Sequence, residues 1–417
     1  MAQVSIDSAT DSLSYWHATA DPLVPSQELP STSEIVVIGG GLLGCWTAYW
    51  LARGGASVTL IERTAIGWGA TGRNGGFLVG GTALSYPRLV ETVGRDAARG
   101  LHQITLEGQA LAYEVVSEEE IDCDLRRNGT LHLSLDAETT ESIATTRDVL
   151  EQDGFRIDVL DRQLVQDLID TPLADEIIGG TYAPEDGLLH SSRYLAGIAR
   201  AAERRGVRVV QATVTALTPQ NGVTRVETTR GSIEAGRVVV ALNAWSDTLV
   251  PELAGLIVPT RGQILAYEPS PRVFNTATGA DITPTGEYWQ QTLDGSIVIG
   301  GHRASAPNGD MDIREMIPTE GVTSKIEEIL PGLFPELNSL KVARRWAGLM
   351  AFTSDRLPIV DAVPGLPGTW LAGGFNGHGM TFGPRIGQLL SEAVTTGKTP
   401  EPLAPLRIDR PTLTPLV

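Results

Sequence analysis

Cysteine is almost missing from this chain of 417 residues, where Cys45 and Cys123 are the only two. Two thiols provide neither a disulfide framework nor a cysteine metal site, and Cys45, inside a helical run, reads as a small buried residue. The six histidines show no HExxH or comparable spacing, so no metal is expected. No apolar run approaches the roughly 18 to 20 residues needed to span a bilayer, which excludes a membrane-spanning helix. The first 30 residues lack a basic-then-apolar leader pattern, and the reading places the protein in the cytoplasm. Basic clusters are missing as well. With a net charge of −18, no patch could neutralise phosphates, which argues against a nucleic-acid partner. The acidic balance reads as a well-solvated surface, with an attraction for cationic amines as the sharper alternative. Periodic repeats and low-complexity tracts are absent.

Glycine, by contrast, is abundant, with 46 residues, and 42% of the chain is hydrophobic. The length can bury a large core and points to two domains or one elaborated domain. The most informative stretch runs from Glu34 through Gly39-Gly40-Gly41-Leu42-Leu43-Gly44, continues into an amphipathic segment over 42–53, and ends on the β-type run 57–62. Gly39 permits the turn off the first strand, Gly41 lets backbone approach a pyrophosphate, and Gly44 lets the helix lie close on the sheet. The helix start offers unpaired N–H groups and a positive dipole end. Glu62 stands where a carboxylate accepts from ribose hydroxyls, and it would repel the 2′-phosphate of NADP. This is a dinucleotide site.

The next residues, Arg63 to Gly76, include Gly69, Ala70, Thr71, Arg73, Asn74 and Gly75. They are too rich in glycine and small residues for the crossover helix of a nicotinamide domain. They read as a loop laid along a second, extended part of a cofactor. The segment resembles the D-amino-acid-oxidase-like superfamily of FAD enzymes, in particular the branch holding sarcosine oxidase, glycine oxidase and gamma-glutamylputrescine oxidase. In that branch, a Gly-Trp-Gly-Ala-Ser-Gly-Arg-Asn-Gly-Gly-type stretch runs from pyrophosphate to flavin, and here Thr71 takes the serine place. Further likenesses follow in order: Gly187 to His190, the strand 207–217 with Val214, and Arg237 to Ser246 with Asn243 and Trp245. Two closing motifs complete the series, Trp346 to Pro358 with Gly348, and Gly374-Phe375-Asn376-Gly377-His378-Gly379-Met380. The resemblance covers roughly 33 to 400 and implies FAD. In the family, the last glycine loop and its helix aim N–H groups at the flavin N1–C2=O edge.

The resemblance also implies an α/β (α+β) architecture: a Rossmann-like FAD-binding domain of the glutathione-reductase type with an inserted, sheet-based substrate domain. The cofactor part is expected over 33–88, 176–246 and 345–405, and the substrate part over 89–175 and 247–344. An arm at 1–32, lying on the surface, and a tail at 406–417 complete the chain. Paired aromatics Tyr288 and Trp289, and His302 one strand further on, match substrate-facing positions of sarcosine oxidase; core packing is the competing reading for the aromatics. Departures matter equally. Thr381 and the Gly75-Gly76 region stand where sarcosine oxidase holds the substrate carboxylate, so sarcosine is a poor guess. Val298 stands in the place of a lysine that promotes reaction with oxygen there, and Gly348 in that of a flavin-linking cysteine, so FAD is expected to be noncovalent. The implied reaction passes hydride from the α-carbon of a neutral amine to flavin N5, leaving an imine that water hydrolyses, with O2 as acceptor giving H2O2. Alternatives are the same half-reaction with a quinone or electron-transfer protein, a non-catalytic flavin-binding subunit, and, last, an NAD dehydrogenase. Substrate identity and oligomeric state are open.

Overall fold

Runs of β-branched residues bounded by glycines build the first sheet. In the strand Thr32–Ile38 the last four residues are buried, Ile35 and Val37 in the helical cluster on one face and Val36 and Ile38 with Val226, Leu253 and Leu349 in the cluster on the other. This strand lies between Val58–Glu62 and Gly231–Val240, both parallel to it. Arg208–Gln211 and Thr369–Gly373 extend the parallel set outward, and Ile359–Ala362 closes one edge antiparallel. A meander, Val214–Gln220 and Val223–Thr228, folds back on Gly231–Val240. The computed structural model describes residues 12–416, and expectations for 1–11 and 417 fall outside them.

The helix Leu42–Arg53 differs from its amphipathic reading, since ten of its twelve residues are buried. It lies under the sheet's own face, the helix Ser191–Arg204 and the helix Gly379–Thr396, so no stripe is left for water. Gly383 and Gly387 allow the closest of these contacts. A Cβ on Gly383 would come within 2.6 Å of Leu42 Cδ2, and one on Gly387 within 2.8 Å of Trp46 Cβ. The matching four-residue steps on both chains mean that the two helices run parallel, with both N-termini at one end.

A second, mostly antiparallel sheet has the order Val342–Phe352, Val258–Tyr267, Ile297–Gly300, Glu287–Gln291, Ala277–Ala280, Thr130–Ser134, Gly179–Ala183, Asp158–Asp161. Two of its strands, Gly179–Ala183 and Val342–Phe352, come largely or wholly from segments that the sequence reading gave to the cofactor part. Long-range pairing decides their place, and local composition does not carry it. The segment that opens the expected substrate part forms two helices, Tyr86–Val93 and Arg95–Glu118, broken at Gly94 with φ +82°. Its second helix belongs to the core of the first sheet. A Cβ on Gly108 would lie 1.8 Å from the Thr381 carbonyl oxygen, so helix backbones meet there.

One face of the second sheet packs on the helix Glu320–Leu333 through Trp289, Phe274 and Phe334. The other face, carrying Ile264, Ala266, Tyr288, Val298 and Trp346, turns toward Tyr15 and Trp16. This corrects the surface-arm reading for Ser14 to Trp16, while residues 18–32 are mostly exposed or half-buried, as that reading expected. Trp16 is 1% exposed and sits inside the core, because the helix Tyr15–Ala18 presents two adjacent aromatics to the sheet. Among the described residues, no helix is long and apolar enough to cross a membrane.

Candidate active site

The first glycine loop has the backbone that a pyrophosphate needs. Gly39 has φ +109°, and a Cβ there would strike the Ala241 carbonyl oxygen at 2.6 Å. A Cβ on Gly44 would lie 1.8 Å from the Gly39 carbonyl oxygen, so strand and helix can approach only with glycine. Gly41 has open space beside it and caps the helix without a side-chain acceptor, leaving the dipole end available. The Leu42 N–H is held by Thr71 Oγ1 at 3.1 Å, and Leu43 is buried in the helix behind it.

Glu62 accepts from the Gly40 N–H and the Thr64 N–H, both at 2.8 Å. Burial pushes its carboxyl up, against the pull of those two N–H groups. A carboxylate has about four acceptor positions, so two remain for ribose hydroxyls. Beside it, exposed Arg63 stacks on Trp245 at 4.6 Å, with Arg314 on the same indole at 5.2 Å. Trp245 thus belongs to the Glu62 end. Val214 opens the strand after Ala212, whose N–H bonds the Glu62 carbonyl; the expected strand 207–217 is two strands with the chain bent between them.

The segment from Gly67 to Gly76 is fixed largely through its carbonyls. His17 Nε2 bonds the Gly67 carbonyl, Ser14 Oγ donates to that of Gly72 at 2.6 Å, and Trp16 Nε1 to that of Asn74 at 2.6 Å. Asn74 Oδ1 accepts from the Gly76 N–H and Ser191 Oγ. Arg73 is buried, donates to the Trp68 and Ala347 carbonyls, and backs onto Gly348, where a Cβ would meet its own Cβ at 2.8 Å. It serves the fold. Gly69 lies in the open, next to half-buried Ala70.

Period two then sorts the paired aromatics. Tyr288 and Gln290 face this segment: a Cβ on Gly75 would meet the Tyr288 ring at 2.9 Å, and Gln290 Nε2 donates to the Gly75 carbonyl. Arg126 holds Gln290 from behind at 3.0 Å. Burial raises the Tyr288 phenol to about 12, with Arg303 opposing the shift. Trp289 points the other way, between Phe274 and Phe334 at 6.0 and 5.9 Å, and its catalytic reading is corrected to core packing. His302, at φ +54°, follows the strand end; its N–H bonds Glu287 and its Nδ1 bonds Ser305 Oγ at 3.0 Å. It stands at the rim.

The second glycine loop joins the same face from the far side. Gly374, Asn376 and Gly377 all have positive φ. Gly374 donates to Asn243 Oδ1 at 3.0 Å, and the buried Asn376 side chain ties the loop to Thr353. Phe375 and Met380 anchor it in the core. His378 caps the helix Gly379–Thr396 with no side-chain acceptor, and burial lowers its imidazole pKa. Both parallel helices therefore begin at one end without a side-chain bond from their cap residues, and along the sheet face Gly348 meets Arg73 while Met350 meets Gly377. Two such loops, spaced by the Gly67–Gly76 segment, fit an extended dinucleotide better than a compact ligand.

The comparisons agree with that geometry. The family model for FAD dependent oxidoreductases, DAO, matches residues 34–393. The chain belongs to the DAO family. Among its DAO relatives, gamma-glutamylputrescine oxidoreductase of Escherichia coli (strain K12) is 26% identical over 91% of this chain and 88% of the relative. Glycine oxidase of Pseudomonas aeruginosa is 26% identical, covering 90% of this chain and 99% of the relative. The crystal structure of L-proline dehydrogenase from P. horikoshii superposes with a TM-score of 0.78 at 25% identity, over 91% of this chain and 97% of that one. The protein is an FAD-dependent oxidoreductase with the DAO-type Rossmann-like fold.

Sequence reasoning missed several residues in this region. His17 of the arm and Gln290 bond the Gly67–Gly76 segment, and the pair Arg303 and Arg356 lies over Phe352. Gln290 had a signal, being two residues from Tyr288 in a strand. Thr381, in the place of a carboxylate-holding lysine, is buried between helices at 1% exposure and faces no opening. A shallow cleft of about 330 Å³ lined by Glu119, Asp122, Arg193 and Arg200 lies apart from all these residues.

Proposed function

We propose that this enzyme oxidises the C–N bond of an amine or N-substituted amino acid to an imine, which water hydrolyses, with O2 accepting the electrons to give H2O2. One observation carries the reading: a single sheet face, from Tyr288 through Gly300 and Gly348 to Met350, closes over the loop segment and the second glycine loop together. Bound FAD supplies the oxidant, taking up the hydride from the carbon beside the nitrogen. Gly39, Gly41 and Gly44 with Leu42 and Leu43 would hold the pyrophosphate. Glu62, Arg63, Val214 and Trp245 would surround the adenosine. Thr71, Asn74, Gly75, Gly76 and the loop from Gly374 to Met380, with Asn243 behind it, would hold the flavin.

The chain's own contribution is position, electrostatics and dryness. Helix Gly379–Thr396 would offer its positive end to a flavin held by the loop before it, and so stabilise the negative charge of the reduced ring. Tyr288 stays protonated at neutral pH and can donate to substrate or orient it, while its ring and those of Phe77 and Trp16 exclude water. His302, at the rim, is the candidate acceptor for a proton from the substrate ammonium. A thioether link to the flavin has no cysteine to form it, since Cys45 and Cys123 are both buried and Gly348 has no sulfur to offer, and FAD is read as noncovalently held. The second sheet is read as the substrate side and the first as the cofactor side.

Product analysis tests the acceptor. An oxidase releases one H2O2 per amine consumed. Turnover with a redox dye but without peroxide supports the second reading, a dehydrogenase. Val298 favours that reading: it is 1% exposed among Ile264, Trp16 and Trp346, so no cation stands there to stabilise superoxide.

A further inference from the structure

We infer that Arg303 and Arg356 form an anion subsite that takes a carboxylate carried by the amine substrate; this rests on the amine-oxidising reading above. Both guanidiniums lie over the Phe352 ring, at 4.9 and 4.5 Å. Phe352 follows Met350 by two residues on the same sheet face, so it stands about 7 Å beyond the residue that meets Gly377. The pair therefore borders the second glycine loop.

Most arginines on this acidic chain reach a carboxylate or stay in water, and these two do neither. Among the described residues, no carboxylate lies within ion-pair distance of either. Arg303 donates to the Gly309 carbonyl, and its nearest acid, Asp310, is already taken by both arms of Arg261 and by Gln263. Both guanidinium pKa values fall below the usual range, through burial first and, for Arg303, through the repulsion of Arg356. Two half-buried like charges on one ring are stabilised by an anion between them.

The turn carrying Arg356 is braced for such a role. Arg410 grips Asp355 with two bonds of 2.6 and 3.0 Å and also donates to the Leu357 and Pro358 carbonyls. Arg356 itself holds φ +60°, a left-handed conformation that favours glycine. The backbone is pinned from behind while the guanidinium points at Phe352. This gives the chain a carboxylate-binding group where Thr381 and the Gly75-Gly76 region offer none.

Calorimetric titration of the flavin-loaded protein with benzoate, and with benzamide as its neutral counterpart, tests the subsite. Benzoate is expected to bind at least about tenfold tighter than benzamide, and Arg303→Gln and Arg356→Gln each to weaken benzoate about tenfold. Arg88→Gln, on an exposed helix, serves as the control for lost charge and leaves binding unchanged. Should either glutamine variant fail to fold, the lysine variants retain the charge without the fork and weaken benzoate by a smaller factor. Equal binding of benzoate and benzamide, no binding of benzoate, or indifference to the four substitutions overturns the subsite. Anaerobic flavin reduction by carboxylate-bearing amines and by their amides separates the two levels. Equal reduction by acid and amide sinks the subsite and leaves the oxidative function; arginine-dependent benzoate binding without reduction by any amine does the reverse.

Discussion

Replacing Trp16 probes whether the arm helps to build the flavin-side loop. Its indole is 1% exposed, packs on His190 at 5.0 Å and on Tyr15 at 5.1 Å, and donates from Nε1 to the Asn74 carbonyl at 2.6 Å. Trp16→Ala removes the whole ring and is expected to cost about 3–5 kcal/mol of stability. Trp16→Phe keeps most of the bulk and loses the N–H, costing about 1 kcal/mol for that bond. Because the lost bond lies on the loop that carries Thr71 and Gly75, the phenylalanine variant is expected to weaken FAD about fivefold, the equivalent of about 1 kcal/mol. Urea denaturation of the flavin-loaded protein and fluorescence titration of the flavin-free protein with FAD measure the two effects separately. If Trp16→Phe lowers stability yet binds FAD with wild-type affinity, the arm is only packing and does not hold the loop.

Other outcomes follow from the same contacts. Gly44→Ala puts a methyl 1.8 Å from the Gly39 carbonyl oxygen, so the helix must shift and the purified variant is expected to be colourless by visible absorbance. Glu62→Ala leaves the Gly40 and Thr64 N–H groups without their acceptor and is expected to weaken FAD by about tenfold or more in the same titration. Acid should loosen the arm: burial lowers His17 to about 3 and His190 to about 4, so unfolded chains bind more protons below pH about 6.5. Stability is thus complete above that pH and falls as pH drops toward 4, which denaturation midpoints across pH 7 to 4 will report. At the other extreme, the Tyr288 phenol, raised to about 12, favours the folded state until pH rises above about 10; Tyr288→Phe should flatten part of that alkaline loss.

The cofactor side was legible because close backbone approach demands glycine, and a demand on backbone appears in one letter at one position. Gly39, Gly44, Gly374 and Gly377 are of this kind, each with a clash or a positive φ to account for it. Facing was harder to read. A strand's two sides alternate, so Tyr288 and Trp289 could be placed in one strand without knowing which met the loop, and the aromatic core of Phe274 and Phe334 claimed Trp289. The burial of Ser14 to Trp16 escaped the surface-arm reading for a different reason: prolines, serines and aspartates around them look solvated, while the burial comes from a sheet built hundreds of residues later. Arg303 and Arg356 are joined only by tertiary packing around Phe352, which no local pattern encodes.

The most direct measurement is anaerobic mixing of the purified, flavin-loaded protein with a panel of amines and amino acids while visible absorbance is followed. The account predicts bleaching of the oxidised flavin by at least one class of amine. A flavin that stays yellow with every amine would contradict it.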